Sequence, residues 1–167
     1  KMLKRWKVEL SLNSLDDLLK DIKYQKKDLL QKQHEIVDKL TIEGERIAKE
    51  KMSSMGISTD GELYHSVKRE KENDVPRGRV YTDLDYAKCV EYGTGIVGQA
   101  NPHVDPPVSG WTYDINEHGE SGWVYFDKRL GDFRRTKGIE QRPFMYETSK
   151  ELKRIATNVA KEVMEND

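Results

Sequence analysis

The stretch LDDLLKDIKYQKKDLLQKQHEIVDKLTIEGERIAKEKMSSMG, residues 15–56, decides the fold of this chain. Its apolar residues recur at steps of three, four and seven, which is the spacing of one stripe along an amphipathic helix. The residues with this spacing are Leu15, Leu18, Leu19, Ile22, Leu29, Leu30, Ile36, Val37, Leu40 and Ile47. A helix over residues 15–55 would be roughly 60 Å long, which is longer than one small sheet requires. Either it bends or breaks near Thr41 to Gly44, because glycine weakens a helix interior, or it protrudes toward a partner.

Signals at both ends of this helix set its expected limits. Ser14 followed by Asp17 resembles a capping box, and Gly56 predicts a left-handed stop with Ile57 packing back onto the helix. Before the helix, residues 6–12 alternate between apolar and polar side chains, as a half-buried strand does. The apolar side of this predicted strand consists of Trp6, Val8, Leu10 and Leu12.

Short elements are predicted for the rest of the chain. Segments Leu63–Arg69 and Arg79–Thr82 have strand character and flank a turn-rich stretch, which predicts a first hairpin. Segments Trp111–Ile115 and Trp123–Phe126 flank a loop-like stretch and predict a second hairpin. The loop 96–110, rich in proline and glycine, is expected to be mobile or ordered by partners.

Two further helices complete the pattern. Asp83 can cap a short helix that Gly93 ends, and Pro143 suits the first turn of a final helix. The apolar face of the short helix consists of Leu84, Ala87 and Val90, and that of the final helix of Met145, Ser149, Leu152, Ile155, Ala156, Val159 and Val163.

This order of elements predicts the α+β class, an antiparallel sheet with the long N-terminal helix and the C-terminal helix packed on one face. The length of 167 residues fits a single domain over residues 1–167. We expect the long helix at about 15–55, the sheet, short helix and hairpins at about 61–127, and the C-terminal helix at about 143–165.

The composition favours a thin fold that is completed by other subunits. Hydrophobic and charged residues each make up 35% of the chain, against averages of roughly 45–50% and about 25%. Such a chain can bury its remaining apolar faces on neighbouring copies. Its 29 basic and 30 acidic residues give a net charge of −1, so no overall field draws it to nucleic acid or an anionic membrane.

The single cysteine, Cys89, excludes an intrachain disulfide and fits a reducing compartment such as the bacterial cytoplasm. No apolar run approaches the ~18 residues of a membrane span, and the lysine-rich start lacks the apolar stretch of a secretion signal. We therefore expect a soluble protein made inside the cell, without a membrane partner.

Candidates for catalysis are few. His103 and His118 lie in the loop-rich middle near Asp105 and Glu117, and a metal-dependent hydrolase built on them is an alternative, although no tight ligand spacing supports it. Cys89 could be a thiol nucleophile, but a small buried side chain is the more common role for cysteine in a helix. The glycine-rich string 91–98 is not followed by Gly-Lys-Ser/Thr, so a tight backbone turn explains it better than a phosphate loop.

The stretch from Lys128 to Arg142 carries a local excess of positive charge. It contains six basic and two acidic residues. Arg134, Arg135 and Lys137 are the candidates for contact with DNA phosphates. The alternative is a solvated loop, or pairing with acidic neighbours in an assembly.

Two short segments carry a resemblance to a known family. The first is the run Tyr86-Ala87-Lys88-Cys89-Val90-Glu91-Tyr92-Gly93-Thr94-Gly95, and the second is Arg142-Pro143-Phe144-Met145 at the start of a C-terminal helix. In order and separation they resemble the tail-component family typified by gene product ten of phage HK-ninety-seven. The run 95–98 is also similar to the corresponding run in versions of this family found in prophages of Gram-positive bacteria.

This resemblance implies a structural virion protein of a long-tailed bacteriophage. Its expected role is that of a neck, tail-completion or minor tail protein, one copy in a homo-oligomeric ring between the head connector and the tail. It implies head-completion or adaptor proteins and tail proteins as partners, and no catalytic residue, cofactor or metal. We expect Trp111, Tyr113, Trp123 and Tyr125 to be exposed interface anchors, with a sheet core as the alternative. An alternative function for the chain is a DNA-contacting module that uses the stretch from Lys128 to Arg142.

Overall fold

The computed structural model describes residues 12–105, 111–114, 117–127 and 130–165. Its elements form an α+β fold, which confirms the predicted class. In chain order they are α1 Leu12–Ser54, α2 Glu62–Ser66, β1 Lys68–Lys71, β2 Gly78–Tyr81, α3 Ala87–Tyr92, α4 Gly95–Ala100, a short 3₁₀ helix Gly119–Ser121, β3 Trp123–Asp127, β4 Asp132–Thr136, β5 Gly138–Ile139 and α5 Phe144–Glu165.

Helix α1 is continuous over 43 residues, roughly 65 Å at the rise of an α-helix. Of the two alternatives left open for this helix, a break near Gly44 does not occur. The glycine instead serves packing. A Cβ atom there would lie 2.8 Å from Cγ2 of Val80 and 3.1 Å from Cδ1 of Leu152. Gly44 thus lets β2 and α5 approach the α1 backbone closely.

The two ends of α1 differ in how well they were predicted. At the C-terminal end Gly56 has φ 69°, and the Ile57 amide donates to the Met52 carbonyl at 2.9 Å, which confirms the left-handed stop. At the N-terminal end the helix begins at Leu12, so Ser14 lies within the helix and the predicted capping box is wrong. Residues 6–11 of the predicted first strand lie outside the described residues.

The core lies around the C-terminal half of α1. Helix α5 runs antiparallel to α1, since Leu152 lies beside Gly44 while Nζ of Lys39 contacts Oε1 of Glu162 at 2.8 Å. The hairpin β1–β2 packs on α1 beside α5. The buried apolar cluster consists of Ala48, Met52, Ile57, Leu63, Val67, Ala87 and Phe144.

The described strands form separate two-stranded antiparallel sheets, β1–β2 and β3–β4, where the sequence predicted one sheet. In the second hairpin, the strand that begins at Trp123 pairs with a different segment from the predicted one. Strand β3 pairs with β4, Phe126 opposite Phe133, and Gly131 at φ 68° supplies the turn. The described residues 111–114 form no strand, and Ile115 lies outside the described part of the chain.

Three smaller predictions are also corrected. Residues 63–66 belong to α2 because Leu63 and Val67, four residues apart, both reach the core. The predicted loop begins with α4, residues 95–100. Asp83 does not cap α3, which begins at Ala87; its carboxylate pairs with Nζ of Lys68 at 3.2 Å.

Two further predicted helix limits, the end of α3 and the start of α5, are confirmed. Gly93 ends α3 with φ 77°, and α5 begins directly after Pro143. Both outcomes follow from local backbone preferences.

Candidate functional site

The two segments that carry the resemblance are in contact in the folded chain. The Arg142 amide donates to the Val90 carbonyl at 2.8 Å. Beside this bond, Thr94 forms an isolated β-bridge with Ile139, and Gly95 forms one with Gly138. The segments therefore fold as one unit that joins α3 to the start of α5.

The glycines of this unit permit backbones to cross closely. A Cβ atom on Gly95 would lie 2.2 Å from the Lys137 carbonyl oxygen, and one on Gly138 would lie 1.8 Å from the Thr94 carbonyl oxygen. Both glycines have positive φ. A tight backbone turn, as expected, accounts for this run of glycines.

Glu91 holds the N-terminus of α5. Its buried carboxylate accepts hydrogen bonds from the Met145 amide at 2.9 Å and from the Tyr146 amide at 2.8 Å. These amides lack partners within the helix, and the helix dipole favours a negative charge there. Burial raises the pKa of Glu91, while the two amides and His103 act in the opposite direction. Glu91 is thus a capping residue supplied by α3.

His103, which follows α4, packs against α3 and the start of α5. Its Nε2 atom lies 3.7 Å from Oε1 of Glu91, and its ring packs edge-on against Tyr92 and Tyr146. Its backbone amide donates to the Tyr113 hydroxyl at 3.1 Å, and its Nδ1 lies 2.6 Å from the carbonyl oxygen and 3.0 Å from the amide nitrogen of Asp105. A buried histidine anchors the start of the proline-rich segment to α3 and α5.

A cleft of about 370 Å³ lies beside this unit, and its walls include Glu91, His103 and Lys88. Its volume is in the range of small-molecule sites. Both carboxylate oxygens of Glu91 accept helix amides, so the role that the contacts give this group is that of a helix cap. Burial raises the pKa of the Cys89 thiol, which disfavours the reactive thiolate. The cleft is lined mainly by residues of α3 and of the start of α5.

The histidines considered for a metal site lie in different surroundings. His103 packs on Tyr92 and Tyr146, whereas His118 stacks on Trp123 with ring centroids 6.2 Å apart. Within the described ranges, no three His, Cys, Asp or Glu side chains are gathered to hold a metal. This arrangement gives the hydrolase alternative no support.

The remaining motif residues serve packing. Ala87 and Phe144 lie in the core, and the Thr94 side chain is buried beside the Ile139 amide, which donates to its hydroxyl at 3.3 Å. Tyr86, just before α3, is the exception, since its side chain is 43% exposed.

Three of the four expected interface anchors are half-buried within the subunit. Trp111 packs on Tyr92 with ring centroids 5.4 Å apart, Tyr113 accepts the His103 amide, and Trp123 stacks on His118. Only Tyr125 of the four is exposed, so the expected exposure of the other three is wrong. An interface role for these residues stays a prediction.

The candidate DNA-contacting residues do not share one face of the hairpin. Arg134 and Arg135 are exposed neighbours on β4, so their side chains leave opposite faces of the hairpin. The Arg135 guanidinium donates to the Ser121 carbonyl at 2.7 Å. Lys137 is exposed beyond the end of β4, and Lys128 and Arg129 lie outside the described residues. Contact with DNA stays a prediction.

The N-terminal half of α1 presents a first exposed apolar surface, here called the α1 stripe. Its side chains are between 39% and 53% exposed, and Leu15, Ile22 and Leu29 repeat at a seven-residue step. The α1 stripe consists of Leu15, Leu18, Leu19, Ile22, Leu29 and Leu30.

The hairpin β3–β4 presents a second exposed apolar surface, here called the hairpin face. It consists of Val124, Phe126 and Phe133, which are 62%, 50% and 69% exposed and lie on one side of the hairpin. The rings of Phe126 and Phe133 pack edge-on, with centroids 5.3 Å apart. Sequence analysis missed this surface because Phe133 lies among charged residues.

Comparisons of the chain with protein-family models, curated proteins and solved structures found no match. Of the helices in the described parts of the chain, none is long and apolar enough to cross a membrane.

Proposed function

We propose that this chain is a structural subunit of a long-tailed bacteriophage or prophage particle, one copy in a ring that joins the head connector to the tail. The observation that carries the proposal is that the α1 stripe and the hairpin face are both exposed. Contiguous exposed apolar surfaces of this kind mark sites of protein association.

Assembly into a ring accounts for both surfaces. The subunit's own core is confined to the C-terminal half of α1, and the α1 stripe and the hairpin face lie on separate elements outside it. A ring subunit needs surfaces for its neighbouring copies and surfaces for the rings above and below. The partners are further copies of the chain, head-completion or adaptor proteins, and tail proteins.

The place in a phage particle rests on the resemblance of segments 86–95 and 142–145 to the tail-component family. The contacts of these segments agree with a structural purpose, because Glu91 caps α5 and the glycines permit a backbone crossing. We expect no catalysis from this unit, since its buried carboxylate is committed to two helix amides.

The test is native mass spectrometry and electron microscopy of the purified chain, alone and mixed with the connector and tail proteins encoded beside it. We expect a closed homo-oligomer, and a stable complex with at least one of these proteins. A chain that stays monomeric and joins neither connector nor tail would contradict the proposal.

A further inference from the structure

The α1 stripe continues the face that α1 buries inside its own subunit. Leu15, Ile22 and Leu29 are followed at the same step by Ile36, which is half-buried where the intrachain packing begins. Helix α5 pairs with α1 as far as Lys39, through Glu162, and its described residues reach Glu165. Beyond Lys39, α1 continues toward Leu12 for roughly 40 Å. A partner of the same kind as α5, an amphipathic helix, is what this face fits.

The stripe is too wide for a single partner helix. Leu18 and Leu30 are 49% and 42% exposed and lie about 120° apart around the helix axis at 3.6 residues per turn. A two-stranded coiled coil needs only a narrow seam, whereas a wider apolar face is typical of a helix with more than one neighbour. Each α1 therefore has room for a helix on either side.

The area of one helix contact leads to the same conclusion. Over residues 15–33 the helix is about 27 Å long and about 10 Å wide, so one helix contact covers on the order of 270 Å² of each helix. A stable interface buries about 800 Å² per partner. One helix contact covers about a third of this value, so a single pair of α1 helices falls well short of a stable interface, and more than one neighbour per helix is favoured.

We infer that the α1 stripes of neighbouring copies pack in parallel around a common axis. This inference rests on the proposed function, because copies related by rotation about one axis must all point their helices the same way. Parallel packing puts Lys26, a charged residue on the same side of α1, at one level in all copies. A polar residue at such a position weakens a helical bundle but fixes its register.

Cysteine cross-linking of the full chain tests the orientation. In a Cys89→Ser background, Leu15→Cys and Leu29→Cys are made separately and treated with a short bismaleimide linker. Parallel packing brings equal positions together, so each variant should cross-link to itself. Lys20→Cys, on the opposite side of α1, is the matched control and should give no cross-link. Native mass spectrometry of the same samples reports the oligomeric state.

The outcomes separate this inference from the proposed function. Cross-links at both stripe positions and none at Lys20→Cys support parallel packing. A cross-link that forms only when the Leu15→Cys and Leu29→Cys chains are mixed overturns it in favour of antiparallel pairing. An intact oligomer without stripe cross-links overturns the inference and leaves the ring standing. A monomer at all concentrations that joins no partner overturns both.

Discussion

Replacement of Glu91 tests whether α3 holds the start of α5. The Glu91→Ala variant loses two hydrogen bonds, to the Met145 amide at 2.9 Å and the Tyr146 amide at 2.8 Å. A hydrogen bond to a charged group contributes about 1.5–3 kcal/mol, so the two together contribute about 3–6 kcal/mol before desolvation is counted. Burial opposes the charged form, as the raised pKa of Glu91 indicates. We therefore expect the free energy of unfolding to fall by about 3 kcal/mol.

Thermal and urea unfolding measure this loss. A change of about 3 kcal/mol in a chain of this size lowers Tm by about 6–12 °C. Glu91→Gln keeps the shape and one acceptor, so we expect a smaller loss of about 1–2 kcal/mol. The exposed Glu140→Gln is the control and should stay within about 0.5 kcal/mol of the wild type. If Glu91→Ala unfolds with the wild type, the two bonds do not stabilise the fold.

The pH dependence of the same variants has a definite sign. The pKa of Glu91 is raised in the folded protein, so the folded chain binds this proton at a higher pH than the unfolded chain does. Stability then increases as pH falls from neutral toward the ordinary glutamate pKa of about 4.3, because the folded state binds more protons. Glu91→Gln lacks this contribution. The wild type should therefore gain stability relative to Glu91→Gln as the pH falls from neutral toward about 4.3, and a loss would contradict the assignment.

Two further substitutions test the packing and the exposed surfaces. Helix propensity alone predicts that Gly44→Ala stabilises α1 by about 1 kcal/mol, but the Cβ would lie 2.8 Å from the stiff Val80 side chain, so we expect a net loss of about 1–2 kcal/mol from overpacking. Urea unfolding decides the sign, with the exposed Gln31→Ala of α1 as the control. Phe133→Ser should leave Tm nearly unchanged, since the side chain is 69% exposed. It should also weaken binding to adaptor or tail proteins in a pull-down. A large fall in Tm would show instead that the Phe133 side chain packs inside its own subunit.

Local signals in the sequence located the C-terminal ends of α1 and α3 and the start of α5. The periodicity over residues 15–55 predicted α1, because the spacing of three and four follows directly from the geometry of a helix. Gly56 and Gly93 ended their helices as expected, since both positions require a positive φ that glycine adopts freely. Pro143 marked the start of α5 for an equally local reason.

Pairings between distant residues were the source of the errors. The strand β3 was recognised, but its partner was misplaced, because alternation shows that a segment is a strand and not which segment it meets. The residues Trp111, Tyr113 and Trp123 were expected at the surface and are half-buried by Tyr92, His103 and His118. No spacing within the sequence contains these contacts.

The sequence by itself determined that a long amphipathic helix opens the described chain and that the chain belongs to the α+β class. Both depend on periodicities of a few residues, which neighbouring side chains impose through the backbone. Only the tertiary structure decided that Gly44 is a packing position, that Glu91 caps α5 and that the apolar face of α1 is covered only over its C-terminal half. These features depend on which distant segments come together, and an amphipathic stripe is the same in sequence whether or not a partner covers it.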